Sequence, residues 1–161
     1  DETGGTLFDK LAEAGAKLLV ETLPHIFDGT AVYEKQPEES PTPYAGMITK
    51  QMGLINFGKS AEELERLVRG LNPWPSAFTF WNGKTLKVWE SFVVKSEEAG
   101  AEKPEPGTVV KTDKKGIYVA CGEDVLVLSQ VQLEGKKRMD ADAFLRGCHI
   151  ETGSRFTDKK E

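Results

Sequence analysis

Cysteine is scarce in this 161-residue chain: only Cys121 and Cys148, far apart and in no CxxC or zinc-ligand spacing. Two reduced thiols are expected rather than a disulfide, and no metal site is read. Histidine is equally rare, with His25 and His149 alone. Acyl or formyl transfer needs a proton acceptor and a group to hold the developing oxyanion. His25 follows Pro24 at a helix end, and His149 adjoins Cys148, where sequence neighbours usually point apart. Both are expected to be surface or supporting residues, so no catalytic residue is assigned. GxGxxG, P-loop and HExxH patterns are all missing. Gly4-Gly5 before a helix could suggest an anion site, but Asp1 and Glu2 beside it argue against one. No apolar run is long enough for a membrane span. The chain opens DETGG, without Met or a basic leader, as expected for a cut inside a longer protein.

What is present reads as a soluble globular chain, with 39% hydrophobic and 29% charged residues. The length suits one domain, or a small domain with part of another. Net charge is −5, but it is unevenly placed. Residues 1–40 carry nine acids and three bases, and residues 41–161 seventeen acids and eighteen bases. The acidity belongs to one end, so a local basic patch is compatible with the total.

Thr6-Leu7-Phe8-Asp9 predicts a helix start, and Phe8, Leu11, Ala12, Gly15, Leu18 and Leu19 recur at helical spacing until Pro24 stops the pattern. Nothing nearby in sequence covers this apolar stripe, which must pack on the later domain or on something outside this chain. Residues 28–59 read as a linker, with Pro37, Pro41 and Pro43 resisting regular structure. Tyr44, Met47, Ile48, Leu54, Ile55 and Phe57 suggest that it is pinned to a surface. Ser60-Ala61-Glu62-Glu63 is a capping box. The helix after it buries Ala61, Leu64, Leu67, Val68 and Leu71 and pairs Glu62 with Arg66 and Glu65 with Arg69. Gly70 and Pro73 end it. Pro73 and Pro75 then hold Asn72 and Trp74 extended, placing Leu71, Trp74 and Phe78 at a helix–sheet junction that Trp74 wedges.

The period then switches to two. Putting Phe78, Phe80, Leu86 and Val88 on one face requires a three-residue loop, Trp81-Asn82-Gly83, with Gly83 left-handed. Residues 96–107 read as an exposed polar loop. Strands are predicted at 108–112, 116–121 and 124–133, followed by a turn at 134–138. Asp140 caps a short helix bearing Ala141, Phe144 and Leu145, and 153–161 read as a frayed polar tail. This pattern predicts a mainly β chain with helices, α+β in class, built on a small closed or nearly closed barrel. Trp74, Trp81 and Trp89 are expected in core and junction packing, with base stacking the alternative. Lys136-Lys137-Arg138, with Arg146 on the next helix, reads as either a phosphate-facing group or a solvated turn.

Three stretches carry a more specific signal. RLVRGLNPWPSAFTFWNGKTLKVWES, residues 66–91, resembles the start of the C-terminal domain of the bacterial methionyl-tRNA formyltransferase family. EGKKRMDADAFLRG, residues 134–147, resembles that domain's closing turn and helix, and residues 1–23 are similar to the last helical part of its catalytic domain. Tyr44-Ala45 and Gly53-Leu54-Ile55-Asn56-Phe57 resemble the family's linker, although Asn56 and Phe57 depart from its usual Asp and Trp. The resemblance implies four parts: a terminal catalytic-domain helix (1–27), a linker (28–59), an OB-like domain (60–152) and a polar tail (153–161). It implies formyl transfer from 10-formyltetrahydrofolate to the amine of methionyl initiator tRNA, in the cytoplasm, with catalytic and folate-binding residues in an N-terminal domain outside this chain. The partners implied are that tRNA and that domain, in a monomeric enzyme and away from membranes. Left uncovered, the first helix would promote self-association.

Matched position makes Lys50 and Lys136-Lys137-Arg138 candidate tRNA contacts. Charge and position add Arg69 and Arg146, with pairing to Glu65 the alternative for Arg69. Two other readings stay open: a bracing domain that scarcely touches RNA, and the same domain in a related formyltransferase or 10-formyltetrahydrofolate enzyme.

Overall fold

The computed structural model describes residues 2–99 and 104–159. Residues 100–103, part of the expected polar loop, lie outside the described residues.

Helix α1 spans Gly4–Phe27. Thr3 caps it: the Thr3 Oγ1 accepts from the Thr6 N–H at 3.1 Å, and the Thr6 Oγ1 accepts from the Thr3 N–H at 2.9 Å. The expected start at Thr6 is therefore late, because Thr6 is the far member of a reciprocal box rather than the cap. Pro24 does not stop the helix either. It lies in the last turn, where one missing backbone bond is tolerated, and its carbonyl accepts from Asp28 N–H at 3.0 Å. No residue of α1 is buried, and Phe8 is 72% exposed. The helix touches the rest of the chain at its start. Gly5 N–H donates to the Asn72 carbonyl at 2.8 Å, and a Cβ on Gly4 would lie 2.3 Å from the Gly70 oxygen. The NPWP stretch is thus the seat of α1, which explains two glycines at that point.

A 3-10 turn at Lys50–Gly53 leads the linker onto the sheet. Ile55 N–H donates to the Phe78 carbonyl at 2.8 Å, and Gly122 N–H donates to the Phe57 carbonyl at 2.9 Å. Helix α2, Ala61–Gly70, begins with the expected Ser60–Glu63 box and buries Ala61, Leu64 and Val68. Gly70 does not supply a left-handed turn. The cap is Leu71 at φ −95°, buried, and its carbonyl accepts from Ser76 N–H at 2.9 Å. Trp74 is 58% exposed and is not the wedge; Leu71, Pro75 and Ser76 fill that junction, and Phe78 is half-buried beside it.

The strands are β1 (Ala77–Trp81), β2 (Lys84–Val94), β3 (Val109–Asp113), β4 (Gly116–Ala120), β5 (Val125–Leu133) and β6 (Met139–Asp140). A short helix α3, Ser96–Ala99, follows β2, and α4, Ala141–Gly147, follows β6. All ladders are antiparallel, in the order β1-β2-β5-β4-β3, with β6 on β5. The α+β class stands, but strand pairing does not close the sheet into a barrel.

The β1–β2 hairpin corrects the predicted loop. Trp81 pairs with Lys84 across a two-residue turn with Asn82 at φ 47° and Gly83 at φ 68°. Thr79 therefore opposes Leu86, and the core face reads Ala77, Thr79, Leu86, Val88. Phe78 and Phe80 lie on the other face in edge contact, ring centroids 5.7 Å apart.

The tail packs along the sheet's open side, and 153–157 is not frayed. Phe80 and Thr157 exchange two backbone bonds at 3.1 Å, and Val109 N–H donates to the Ser154 carbonyl at 2.8 Å. This segment bridges the unpaired edges of β1 and β3. Thr79 is fully buried, and its hydroxyl donates to the Thr157 carbonyl at 2.9 Å. Phe156 is buried and stacks on Phe57 at 6.1 Å. One core unites α2, the inner sheet face, α4, the linker's Ile55 and Phe57, and Phe156. Tyr118, Val125 and Val127 form a smaller cluster on the outer face.

Candidate nucleic-acid interface

The basic turn expected at 134–138 joins β5 to β6 and folds back over β2. Gly135 takes φ 78°, which admits the reversal. Three anchors fix it. Glu134 N–H donates to the Thr85 carbonyl at 2.8 Å, while its carboxylate accepts from Thr85 N–H at 3.0 Å. The Gln132 side-chain amide donates to the Lys136 carbonyl at 3.0 Å. Arg138 donates to the Glu90 carboxylate at 3.0 Å and to the Gln130 side-chain oxygen.

Trp89 lies under this turn. The β2–β5 register slips between Val88 and Glu90, so Trp89 is the extra residue of a bulge, a feature that re-aims a side chain. Its indole N–H donates to Gln132 Oε1 at 3.1 Å. The Arg138 guanidinium carbon is 4.8 Å from the Trp89 ring centre and Lys87 Nζ is 5.7 Å away, both in cation–π range. Trp89 is thus half-buried beneath the turn and lies outside the core in which it was expected to pack.

Lys136 and Lys137 are exposed and, among the described residues, form no ion pair. Lys84 and Lys136 both lie close enough to Cys148 to draw its thiol pKa downward, against a larger upward push from burial. The surface around the turn therefore gathers five cations (Lys84, Lys87, Lys136, Lys137, Arg138) against three carboxylates (Glu90, Glu134, Asp140) in a chain whose net charge is −5. Asp140 does not cap α4 with its side chain; that carboxylate accepts from Gln130 Nε2 at 3.0 Å.

The remaining candidates stand apart. Arg69 is held by Glu65 at 2.9 Å and donates to the Glu2 carbonyl at 2.9 Å, bracketing α2 to the start of α1. The Glu65 carboxylate raises its pKa further. Arg146 pairs with Asp142 one helical turn back, both largely exposed. Lys50 sits exposed on the 3-10 turn, and no hydrogen bond or ion pair joins it to the basic turn. His25 meets the Thr30 hydroxyl at 2.9 Å and His149 faces Glu151 at 3.7 Å, so the two histidines are not brought together. Both cysteines are free thiols, and burial pushes Cys121 up to about 12. Sequence reasoning overlooked Gln130, Gln132 and Glu90 as supports. The two glutamines were signalled only by a polar alternation near the end of β5, and Glu90, on β2, by nothing beyond its charge.

Comparison with known proteins identifies relatives of the chain. A methionyl-tRNA formyltransferase from Agathobacter rectalis is 54% identical over 157 residues, covering 98% of this chain and 49% of that protein. One from Bacillus subtilis is 48% identical over 150 residues, covering 92% and 46%. The chain thus spans about half the length of the curated relatives it matches. Among solved structures, a variant of HypX from Aquifex aeolicus aligns with a TM-score of 0.61 at 11% identity, covering 89% of this chain and 26% of that one. HypX in complex with tetrahydrofolic acid aligns at 0.56 and 12%, covering 80% and 22%. Both show a shared fold. The formyl transferase C-terminal domain pattern matches residues 47–149, from just before the 3-10 turn to just past α4. The chain belongs to the formyl transferase C-terminal domain family.

Proposed function

We propose that this chain is the tRNA-holding part of a methionyl-tRNA formyltransferase, which moves a formyl group from 10-formyltetrahydrofolate to the amine of methionyl initiator tRNA in translation initiation. The observation that carries this reading is the exposed Lys136-Lys137 pair on an anchored turn, in a chain that shares half its residues with proteins of that name. Phosphate binding draws on cations that release counterions, and these two ammoniums form no ion pair among the described residues. Lys50 and Arg146 extend the phosphate-facing surface, since the exposed Arg146–Asp142 pair is weak enough to exchange partners. Arg69 instead braces α1.

The domain division read from the resemblance is kept, with the tail's hydrogen-bonded residues serving an OB-like barrel as its seam. The reaction's catalytic groups and the folate donor's site belong to the N-terminal catalytic domain. The exposed stripe of α1, including Leu7, Phe8, Leu11, Leu18 and Leu19, suits burial against it. The complete enzyme acts as a cytoplasmic monomer. Among the described residues, no helix is long and apolar enough to cross a membrane.

The test is a titration of initiator tRNA with the purified chain at several salt concentrations. Affinity that falls steeply with salt is the expected result. No binding at low salt would leave a bracing domain as the better account.

A further inference from the structure

We infer that within the basic turn Arg138 is a positioning residue: together with Trp89 it clamps the turn so that Lys136 and Lys137 meet the phosphates. This rests on the reading that the chain holds tRNA.

The geometry separates the three cations. Arg138 has its guanidinium on Glu90 and Gln130 and over the Trp89 ring. Its charge is largely answered within the chain, and a phosphate reaching it would meet the Glu90 carboxylate. Lys136 and Lys137 have no such partner among the described residues. Their backbone is what the clamp controls. Trp89 binds Gln132, and Gln132 holds the Lys136 carbonyl, so the indole ring is joined to the turn from below while Arg138 closes over it from above. A turn fixed before RNA arrives loses less conformational freedom on binding than a free one. The bulge at Trp89 is what brings the ring under the turn.

Salt dependence distinguishes contact from positioning. A phosphate contact contributes to the slope of log affinity against log salt, about 0.7–0.9 for each one made. A positioning residue changes affinity without changing that slope. The experiment measures tRNA affinity from low to physiological salt for the wild-type chain and for K136A, K137A, R138A, R138K, W89L and the R138A/W89L double variant. K136A and K137A should each flatten the slope by about one contact. R138A and W89L should weaken binding roughly 3–10-fold at every salt concentration, with the wild-type slope kept. The double variant should be no weaker than the worse single, since both break one clamp. R138K should resemble R138A, because an ammonium cannot reach Glu90 and Gln130 together as a planar fork does.

The inference is overturned if R138A flattens the slope as much as K136A, or if R138K binds like wild type, since charge alone would then suffice. Arg138 is part-exposed, so its variants should keep the wild-type urea midpoint, and R138K supplies a second reading of the same contact. A wild-type chain without salt-dependent tRNA binding sinks the tRNA-holding reading itself, before any variant is compared.

Discussion

Replacing Phe156 with Ala should destabilise the chain severely, although Phe156 lies among polar residues beyond α4. The ring is 3% exposed and stacks on Phe57, itself buried, at 6.1 Å. Removing a buried Phe loses roughly 1.5–3 kcal/mol of transfer free energy. Stacking contributes about 0.5–1.5 kcal/mol. With the cavity left behind, Phe-to-Ala changes in cores cost about 3–5 kcal/mol. The upper half of that range applies here, because the linker at Phe57 and the segment at Gly107 are tied in place by backbone bonds (Gly122 N–H to the Phe57 carbonyl and Phe156 N–H to the Gly107 carbonyl, both 2.9 Å) and resist collapsing inward. Urea unfolding followed by tryptophan fluorescence reads the effect. At a slope of about 2 kcal/mol/M the midpoint should fall by roughly 2 M. Deleting residues 154–161 should cost at least as much, since it also leaves the buried Thr79 hydroxyl without its acceptor. Arg155→Ala is the control: its pair with Glu105 is exposed, and its loss should cost no more than about 1 kcal/mol. A Phe156→Ala midpoint matching that control would refute the reasoning, because the tail would then be an appendage rather than part of the core.

Two further expectations follow from close contacts and burial. Gly122→Ala should destabilise by at least about 1 kcal/mol, because a Cβ there would sit 2.2 Å from the Gly58 carbonyl oxygen, whereas Gly46→Ala, with nothing within 4 Å, should be close to neutral; urea midpoints compare the two. Burial raises the Cys121 thiol pKa to about 12 from an ordinary 9, so its contribution to stability is complete below about pH 9 and fades as pH rises toward 12. A thiol reagent at pH 8 should therefore label the part-exposed Cys148 ahead of Cys121, which should react only on unfolding, and a Cys121→Ser chain should lose less stability between pH 9 and 11 than wild type.

The parts of this fold that were legible in the sequence are those whose cause is local. The Ser60–Glu63 box lies within four residues, and the strands around β4 and β5 are bounded by their own turns. The errors share a different cause, a partner distant in sequence. The hairpin was misjudged because Thr79 was not expected in the core. It belongs there only because the Thr157 carbonyl, 78 residues later, satisfies its hydroxyl. Phe78 and Phe80 could leave the core because the linker around Gly53–Leu54 comes up beside them: a Cβ on Gly53 would lie 3.3 Å from the Phe78 ring. The tail looked frayed because a single aromatic among polar residues gives no period to read. At the site, Lys136 and Lys137 were visible as charge, and the resemblance supplied their meaning. The clamp beneath them was not visible. It depends on a bulge, and the sequence Val88-Trp89-Glu90 does not say where the ladder with β5 slips.

Lysine reactivity toward an acylating reagent, measured residue by residue with and without initiator tRNA, tests the central claim most directly. Lys136 and Lys137 should be protected most strongly and Lys50 in part, while Lys17 and Lys35, on the acidic end of the chain, keep their full reactivity. Equal protection of all five, or protection confined to Lys17 and Lys35, would contradict a grip centred on the basic turn.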